Sequence, residues 1–160
     1  MTNAEVKAAV DEALKDLEEE VRALDFAKVH ERSTAHRLAV HLESKFPGWD
    51  VDCEYDRDLT AKKLLAGIAE CNERRQRDDI FPDIIVHHRG LQGREDNLLA
   101  IEIKKNCRED PCDRRKLELL TKQQDNSLPY RYQFGLYLNF NFASKEFDQT
   151  WYKRGCSERI

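Results

Sequence analysis

Glycine, proline and long apolar runs are all scarce in this sequence. It contains only 6 Gly and 4 Pro among 160 residues, which excludes collagen-like and Gly/Pro-rich low-complexity chains. No uninterrupted apolar run approaches the roughly 18–20 residues that a membrane-spanning helix needs. Residues 1–20 lack the charged-then-apolar pattern of a signal peptide, so we expect a cytoplasmic protein with no membrane partner. With 40% hydrophobic and 36% charged residues, the chain has the composition of a globular domain.

Cysteine and histidine do not form a zinc-binding pattern. The five cysteines are odd in number and scattered, and no two have CxxC spacing. The five histidines complete no zinc-ligand spacing either. Cys107 and Cys112, with four residues between them, leave a structural zinc site only as a minor alternative. We therefore expect reduced thiols.

Charge is unevenly distributed along the chain. The formal net charge is −4, but residues 1–25 hold eight acids against three bases, which leaves the remainder at +1. Residues 104–122 hold seven bases against four acids, a local excess of +3. The acidity therefore belongs to an N-terminal arm, and the mildly basic body permits contact with phosphates.

The N-terminal arm has the pattern of a helix. Thr2 and Glu5 have capping-box spacing, and apolar residues then recur in steps of four and three. Residues 1–24 are therefore predicted to be an N-terminal helical extension. It either lies on the domain or forms a short coiled coil.

The rest of the chain, residues 25–160, is predicted to be one α/β domain. A helix from Asp25 to Phe46 places Glu31 on its inward stripe, where a carboxylate needs a cation or hydrogen-bond donors. Alternating or compact apolar runs then predict four strands, and periodic apolar residues predict two further helices. The strands are expected at 49–55, 80–86, 98–105 and 130–142, and the helices at 59–76 and 113–124. We therefore expect a central sheet of about four strands flanked by helices.

Two neighbouring strands carry charged residues on sides that should be buried. Glu102 and Lys104 are two residues apart, so they project from the same face of their strand. If the two strands form a hairpin, a register that pairs Val86 with Leu99 places Asp83 opposite Glu102. Opposed carboxylates lie about 5 Å apart at their β-carbons and repel each other.

A divalent cation is the simplest group that holds two close acids together, and Mg²⁺ is the usual one for oxygen ligands. Glu31 could supply a third oxygen from the preceding helix. The alternative is a buried ion pair, but such pairs are seldom retained for stability, because desolvation offsets most of the attraction. The pattern therefore favours a metal site.

Pro82-Asp83, eighteen intervening residues and Glu102-Ile103-Lys104 together resemble the signature of the PD-(D/E)XK nuclease superfamily. The element order from Asp25 to Phe142, about three quarters of the chain, is also similar to that superfamily's restriction-endonuclease-like core. The resemblance implies a mixed central sheet and a divalent-metal-dependent nuclease that hydrolyses phosphodiester bonds in nucleic acid. DNA would be the partner, and Mg²⁺ or Mn²⁺ the cofactor.

The resemblance also implies a role for each matched position. Asp83, Glu102 and Lys104 would be the catalytic residues. Asp83, Glu102, the backbone carbonyl of Ile103 and Glu31 would be the metal ligands. Lys104 would orient or activate the attacking water and stabilise charge in the transition state. These roles suit phosphodiester hydrolysis, in which a metal lowers the pKa of bound water and an ammonium stabilises developing charge.

Basic and amide groups after the signature are candidates for contact with nucleic acid. They are Lys105, Arg114, Arg115, Lys116 and Gln123. Lys105 should point away from Lys104, toward the surface or a phosphate. The three basic residues of the helix either track a phosphate backbone or form a solvated face, since its inner positions are Leu117 and Leu120.

Two other functions fit the same sequence. The first is a nucleic-acid-binding or protein-interaction module that has the same fold and an inactive site. The second is a protein-interaction domain in which the acidic N-terminal helix is the working part. Compact chains of this superfamily often act as dimers, so a homodimer is also left open.

Overall fold

A six-stranded sheet organises the part of the chain that the computed structural model describes, residues 1–22, 30–53, 82–91, 93–105, 111–122, 131–141 and 144–158. The strands are β1 Asp50–Cys53, β2 Ile84–His87, β3 Asn97–Lys105, β4 Phe134–Asn141, β5 Glu146–Lys153 and β6 Cys156–Glu158. The helices within these ranges are α1 Asn3–Arg22, α2 Glu31–Lys45 and α3 Pro111–Thr121, and a 3-10 turn at Arg94–Asp96 precedes β3. The predicted α/β class is confirmed.

The sheet is mixed, and its strands lie in sequence order from β1 to β6. Every neighbouring pair is antiparallel except β3 and β4, which are parallel. A parallel pair needs a crossover connection, and α3 lies in it. Val86 pairs with Leu99 and Ile84 pairs with Ile101, so the predicted register of the β2–β3 hairpin is confirmed.

The expectation of about four strands was wrong, because β5 and β6 lie beyond the last predicted element. Side chains of β5 do not alternate cleanly between buried and exposed positions, so periodicity did not reveal the strand. The β5–β6 hairpin turns at Arg154 and Gly155, which have φ values of 55° and 80°. Two consecutive residues with positive φ are typical of tight hairpin turns. The glycine at the second turn position was the signal that the sequence offered.

One face of the sheet packs against α1 and α2 and is apolar. Leu99, Ile101 and Ile103 of β3 point to this side, and each is 0% exposed. The alternation predicted for β4 is confirmed at Phe134, Leu136, Leu138 and Phe140. The buried stripe of α1 consists of Val6, Val10, Ala13, Leu14 and Leu17. This helix therefore lies on the domain, as one of the two sequence interpretations expected.

The beginning of α1 and the side that faces α2 have hydrogen-bond partners. The predicted capping box is present, since the Thr2 amide donates to Glu5 Oε2 at 2.7 Å and the Glu5 amide donates to Thr2 Oγ1 at 3.3 Å. Glu20 accepts two hydrogen bonds from Arg37 of α2, each at 2.7 Å. Much of the acidity of α1 faces basic partners on α2, which joins the two helices.

The other face of the sheet packs against α3. Gly135 of β4 lies under this helix, where an added Cβ would come within 3.1 Å of Thr121 Cγ2 and 3.3 Å of Leu117 Cδ2. Thr121 Oγ1 also accepts a hydrogen bond from the Gly155 amide at 3.2 Å. The helix is therefore seated closely on the sheet, and its first turn has a fixed position beside β3.

Some sequence predictions fall outside the described residues. These are the helix at 59–76, the beginning of the second helix at 25–29 and the side chain of Gln123. Cys53 and Cys156 are free, but Cys112 is disulfide-bonded, so the expectation of reduced thiols was wrong for that residue. Within the described ranges, no helix is long and apolar enough to cross a membrane.

Candidate functional site

Asp83 and Glu102 come together where β2 begins beside β3. Asp83 directly precedes β2, and its Oδ2 accepts a hydrogen bond from the Ile103 amide at 2.7 Å. This bond joins the two strands and fixes the Asp83 carboxyl group next to the residue that follows Glu102. Burial raises the pKa of Asp83, although the Ile103 hydrogen bond and the charge of Lys104 oppose the rise.

Glu102 is a buried acid among other charges. Only 2% of the residue is exposed, and its Oε1 lies 2.7 Å from Lys116 Nζ. Burial is the main cause that raises the pKa of Glu102 to about 8, and the charges of Asp83 and Asp113 add to it against the opposing effect of Lys116. A carboxylate in these surroundings is stabilised by any added positive charge.

Lys104 is held as an ammonium ion by carboxylates. Its Nζ lies 2.8 Å from Asp113 Oδ2 and 3.8 Å from Glu31 Oε2. Burial opposes the positive charge, but the hydrogen bond and the charge of Asp113, joined by Asp83, outweigh it and raise the pKa of Lys104. The side chain is 17% exposed, so it is not completely shielded from solvent.

Helix α3 supplies two further residues of the site: Asp113, which the sequence interpretation missed, and Lys116, which it considered only as a nucleic-acid contact. Asp113 is 0% exposed and Lys116 is 6% exposed, and they lie 3.5 Å apart across one helical turn. Asp113 contacts Lys104, whereas Lys116 contacts Glu102. The interpretation that Lys116 lies on a solvated face is therefore wrong, whereas its contact with a phosphate stays a prediction.

Helical spacing could have revealed both residues. Leu117 and Leu120 were correctly expected to face inward, and both are buried. Asp113 is four residues before Leu117, and Lys116 is four residues before Leu120, so both share the inward stripe. Asp113 was considered only as the beginning of the predicted helix, and Lys116 was considered for the surface because of its charge.

Arg114 anchors the first turn of α3 to the sheet. Its guanidinium carbon lies 4.5 Å from the ring centre of Tyr137, and its NH1 donates to the Tyr152 hydroxyl at 3.3 Å. These contacts place Asp113 and Lys116 over β3 and β4. Arg114 is therefore at least a structural residue of the site.

Glu31 reaches only the margin of the cluster. It is the first residue of α2 and its side chain is 49% exposed, so the expectation that it points inward was wrong. The reason is its position at the beginning of α2, whose buried residues begin only at Thr34. Within the described residues, it approaches the site at Lys104, whose Nζ lies 3.8 Å from Glu31 Oε2.

The remaining basic candidates differ in exposure. Lys105 was expected at the surface but is 6% exposed, and burial lowers its pKa. It shares the inward face of Ile103, two residues earlier, which explains its burial. Arg115 has a side chain that is 54% exposed and pairs with Glu118 at 2.8 Å. Among the described candidates, Arg115 is thus the one best placed to meet an external phosphate.

The carboxylate oxygens of the site are the type of ligand that a hard divalent cation prefers, but those of the described residues do not form a complete metal site. Carboxylate oxygens are the ligands that Mg²⁺ and Mn²⁺ take, and Asp83 and Glu102 supply them at one place. Among the described residues, however, no three His, Cys, Asp or Glu side chains form a group ready to hold a metal ion. The cation that contacts Glu102 is the Lys116 ammonium.

The chain matches no protein-family model, no curated protein and no solved structure. The functional argument therefore depends on the site itself. Three carboxyl groups and two ammonium groups meet beside β3, and these are the groups with which proteins contact cations and phosphates.

Proposed function

We propose that this protein is a divalent-metal-dependent nuclease with a restriction-endonuclease-like fold. The observation that carries the proposal is the Asp83 carboxyl group, fixed by the Ile103 amide beside Glu102, with Lys104 on the same strand. The order of a helix, three antiparallel strands, a helix and a parallel strand also supports it. The reaction is hydrolysis of a phosphodiester bond, with DNA as the proposed substrate.

The acidic residues have a metal-binding role in this proposal. Asp83, Glu102 and the carbonyl of Ile103 would hold Mg²⁺ or Mn²⁺, with Glu31 as a further ligand at the margin. When bound, the cation supplies an activated water and neutralises part of the charge of the phosphodiester.

Lys104 acts through its positive charge rather than as a base. Its raised pKa keeps it protonated, so it cannot accept a proton from water near neutral pH. An ammonium group at this position orients water and stabilises the charge that develops on the phosphate. Asp113, in contact with Lys104 at 2.8 Å, holds that group in place.

Arg115 is the proposed contact for the nucleic-acid backbone outside the site. Its exposed guanidinium lies on α3, close to the residues that line the cluster. Lys116 would meet a phosphate only within the site, because it is buried against Glu102. Lys105 and Gln123 remain weaker proposals for nucleic-acid contact.

Cleavage of plasmid DNA tests the proposal. Purified protein with Mg²⁺ or Mn²⁺ should nick or cut the DNA, and EDTA should stop it. Asp83→Ala, Glu102→Ala and Lys104→Met should each lower the rate by about 10²–10³-fold, because each removes a strong electrostatic contact. A parallel assay on RNA decides between the two nucleic acids.

Lys45→Met is the matched control for Lys104→Met. Lys45 also pairs with carboxylates, Asp16 at 3.0 Å and Glu12 at 3.5 Å, but it lies on α2 at the other face of the sheet. Its substitution should leave cleavage unchanged. DNA cleavage that survives both Asp83→Ala and Lys104→Met would contradict the assignment.

An inactive module with the same fold is the second candidate. It is favoured by the 2.7 Å contact of Lys116 with Glu102, because that ammonium already balances the acid. Calorimetry with Mn²⁺ separates the two functions. An active site should bind Mn²⁺ through Glu102, whereas a vestigial site need not.

A further inference from the structure

Lys116 lies where a metal ion would be expected to contact Glu102. Its Nζ is 2.7 Å from Glu102 Oε1, and both side chains are almost fully buried, at 7% and 2% exposure. A buried carboxylate needs a positive partner, and in this state the chain itself provides one. The ammonium and an external cation therefore require the same oxygen atom.

Asp113 offers Lys116 a second partner close by. Asp113 Oδ2 is engaged by Lys104 at 2.8 Å, and the other oxygen, Oδ1, faces Lys116 Nζ at 3.5 Å. Lys116 thus contacts Glu102 closely, at 2.7 Å, and Asp113 more loosely, at 3.5 Å. A small movement of a flexible lysine side chain is enough to exchange them.

The net charge of the cluster is also consistent with a move of the Lys116 ammonium group from Glu102 to Asp113 when a metal ion binds. When all three are ionised, Asp83, Glu102 and Asp113 carry a formal −3 against +2 from Lys104 and Lys116, so this inner cluster has a formal charge of −1. A divalent cation would make it +1, and a phosphodiester would return it to zero. Glu31 lies at the margin of the cluster and would add a further −1.

We infer that Lys116 is a built-in competitor of the divalent cation for Glu102, and that Asp113 receives its ammonium group when the cation binds. The inference rests on the proposed metal-dependent function, and it concerns the control of that site. Without metal, Lys116 neutralises Glu102. When metal binds, Lys116 leaves Glu102 and faces the phosphate.

Titration of the full-length protein with Mn²⁺ alone, measured by calorimetry, tests this inference. Lys116→Met removes the competitor and should bind Mn²⁺ about tenfold or more tightly than the wild type, the size expected for a close charge in a partly buried site. Structural damage would not produce a gain in affinity. Lys116→Gln should change the affinity in the same direction and provides the test if the methionine variant does not fold.

Lys104→Met is the control for a simple effect of charge. Lys104 is a second ammonium in the same cluster, but its closest carboxylate is Asp113 rather than Glu102. Competition for Glu102 predicts a clearly larger gain for Lys116→Met than for Lys104→Met. Equal gains would mean that only total charge matters, and the inference would be overturned.

Asp113→Asn and Glu102→Gln complete the test. Asp113→Asn should weaken Mn²⁺ binding, because the displaced ammonium loses its acceptor. If Glu102→Gln abolishes binding while Lys116→Met leaves it unchanged or weaker, the competition is refuted and the metal site remains. If neither the wild type nor the Lys116 variants bind Mn²⁺, both the inference and the proposed function fail.

Discussion

The two faces of the sheet are built from alternate residues of the same strands, yet they differ in chemistry. On β3, Leu99, Ile101 and Ile103 point to α1 and α2 and form part of a large apolar core. The residues between them include Ala100, Glu102 and Lys104, which point to α3. One face contains the apolar packing expected of a stable domain, whereas the other buries charges of both signs.

The apolar face is the one expected to stabilise the fold, whereas the charged face contains the candidate functional site. Burial of apolar side chains stabilises the fold by about 25 cal/mol for each Å² removed from water. Buried ion pairs give little net stability, since desolvation offsets most of their attraction. A face that buries Glu102, Asp113 and Lys116 gains less stability than an apolar one would, which favours a functional explanation for it.

The largest effect on stability is expected on the apolar face. Ile101→Ala should lower the free energy of unfolding by about 2–5 kcal/mol, because it leaves a cavity at a fully buried position. Urea unfolding followed by circular dichroism measures the loss. The loss should be similar at pH 5 and pH 9, since no titrating group is removed. A loss below about 1 kcal/mol would mean that this face is not the main core.

A smaller effect, which depends on pH, is expected on the charged face. Folding raises the pKa of Glu102 from its ordinary value of 4.5 to about 8, so in that interval the folded state binds more protons than the unfolded state. The acid therefore destabilises the fold progressively as pH rises from about 5 to about 8. Glu102→Gln lacks this effect, so its stability relative to the wild type should rise by up to about 3 kcal/mol over that interval.

Unfolding in a metal-free buffer at several pH values measures this change. Glu102→Asp is the matched control, because it keeps an ionisable group at the position and should retain a pH dependence. If Glu102→Gln destabilised the protein equally at pH 5 and pH 9, the charged face would have a structural role like the apolar one, and the two faces would not differ in this respect.

The smallest effect is expected at the beginning of α1. Thr2→Ala removes the hydroxyl that accepts from the Glu5 amide at 3.3 Å, and it should cost about 1 kcal/mol if α1 unfolds together with the core. Thr2→Ser keeps the hydroxyl and should retain most of the stability. An unchanged midpoint in urea for Thr2→Ala would show that the helix end frays separately from the rest.

Much of the scaffold around the site was predictable from local patterns. The β2–β3 pairing was predictable from two apolar runs around a polar turn, and the register assumed for it correctly placed Asp83 beside β3 near Glu102. The capping box and the apolar stripe of α1 were predictable because they depend on residues three and four apart. Strands β5 and β6 were missed because their sequences do not alternate.

The partners of the charged residues were not predictable in the same way. Asp113 and Lys116 lie on a different element from Glu102. They approach it only because the crossover from β3 to β4 places α3 over the sheet. Glu31 was expected inside and is exposed, while Lys105 was expected outside and is buried. Charge alone does not reveal whether a side chain is solvated, because that depends on what packs above it.

The sequence by itself determined the α/β class, the β2–β3 hairpin and the common face of Glu102 and Lys104, because strand geometry makes these consequences of spacing. The approach of Asp83 to Glu102 depended on an assumed register, which the structure confirms. Only the tertiary structure decided that Lys116 neutralises Glu102 and that Asp113 holds Lys104. Those contacts join residues from different elements, and the energy of a buried charge depends on its neighbours in space rather than on its neighbours in the chain.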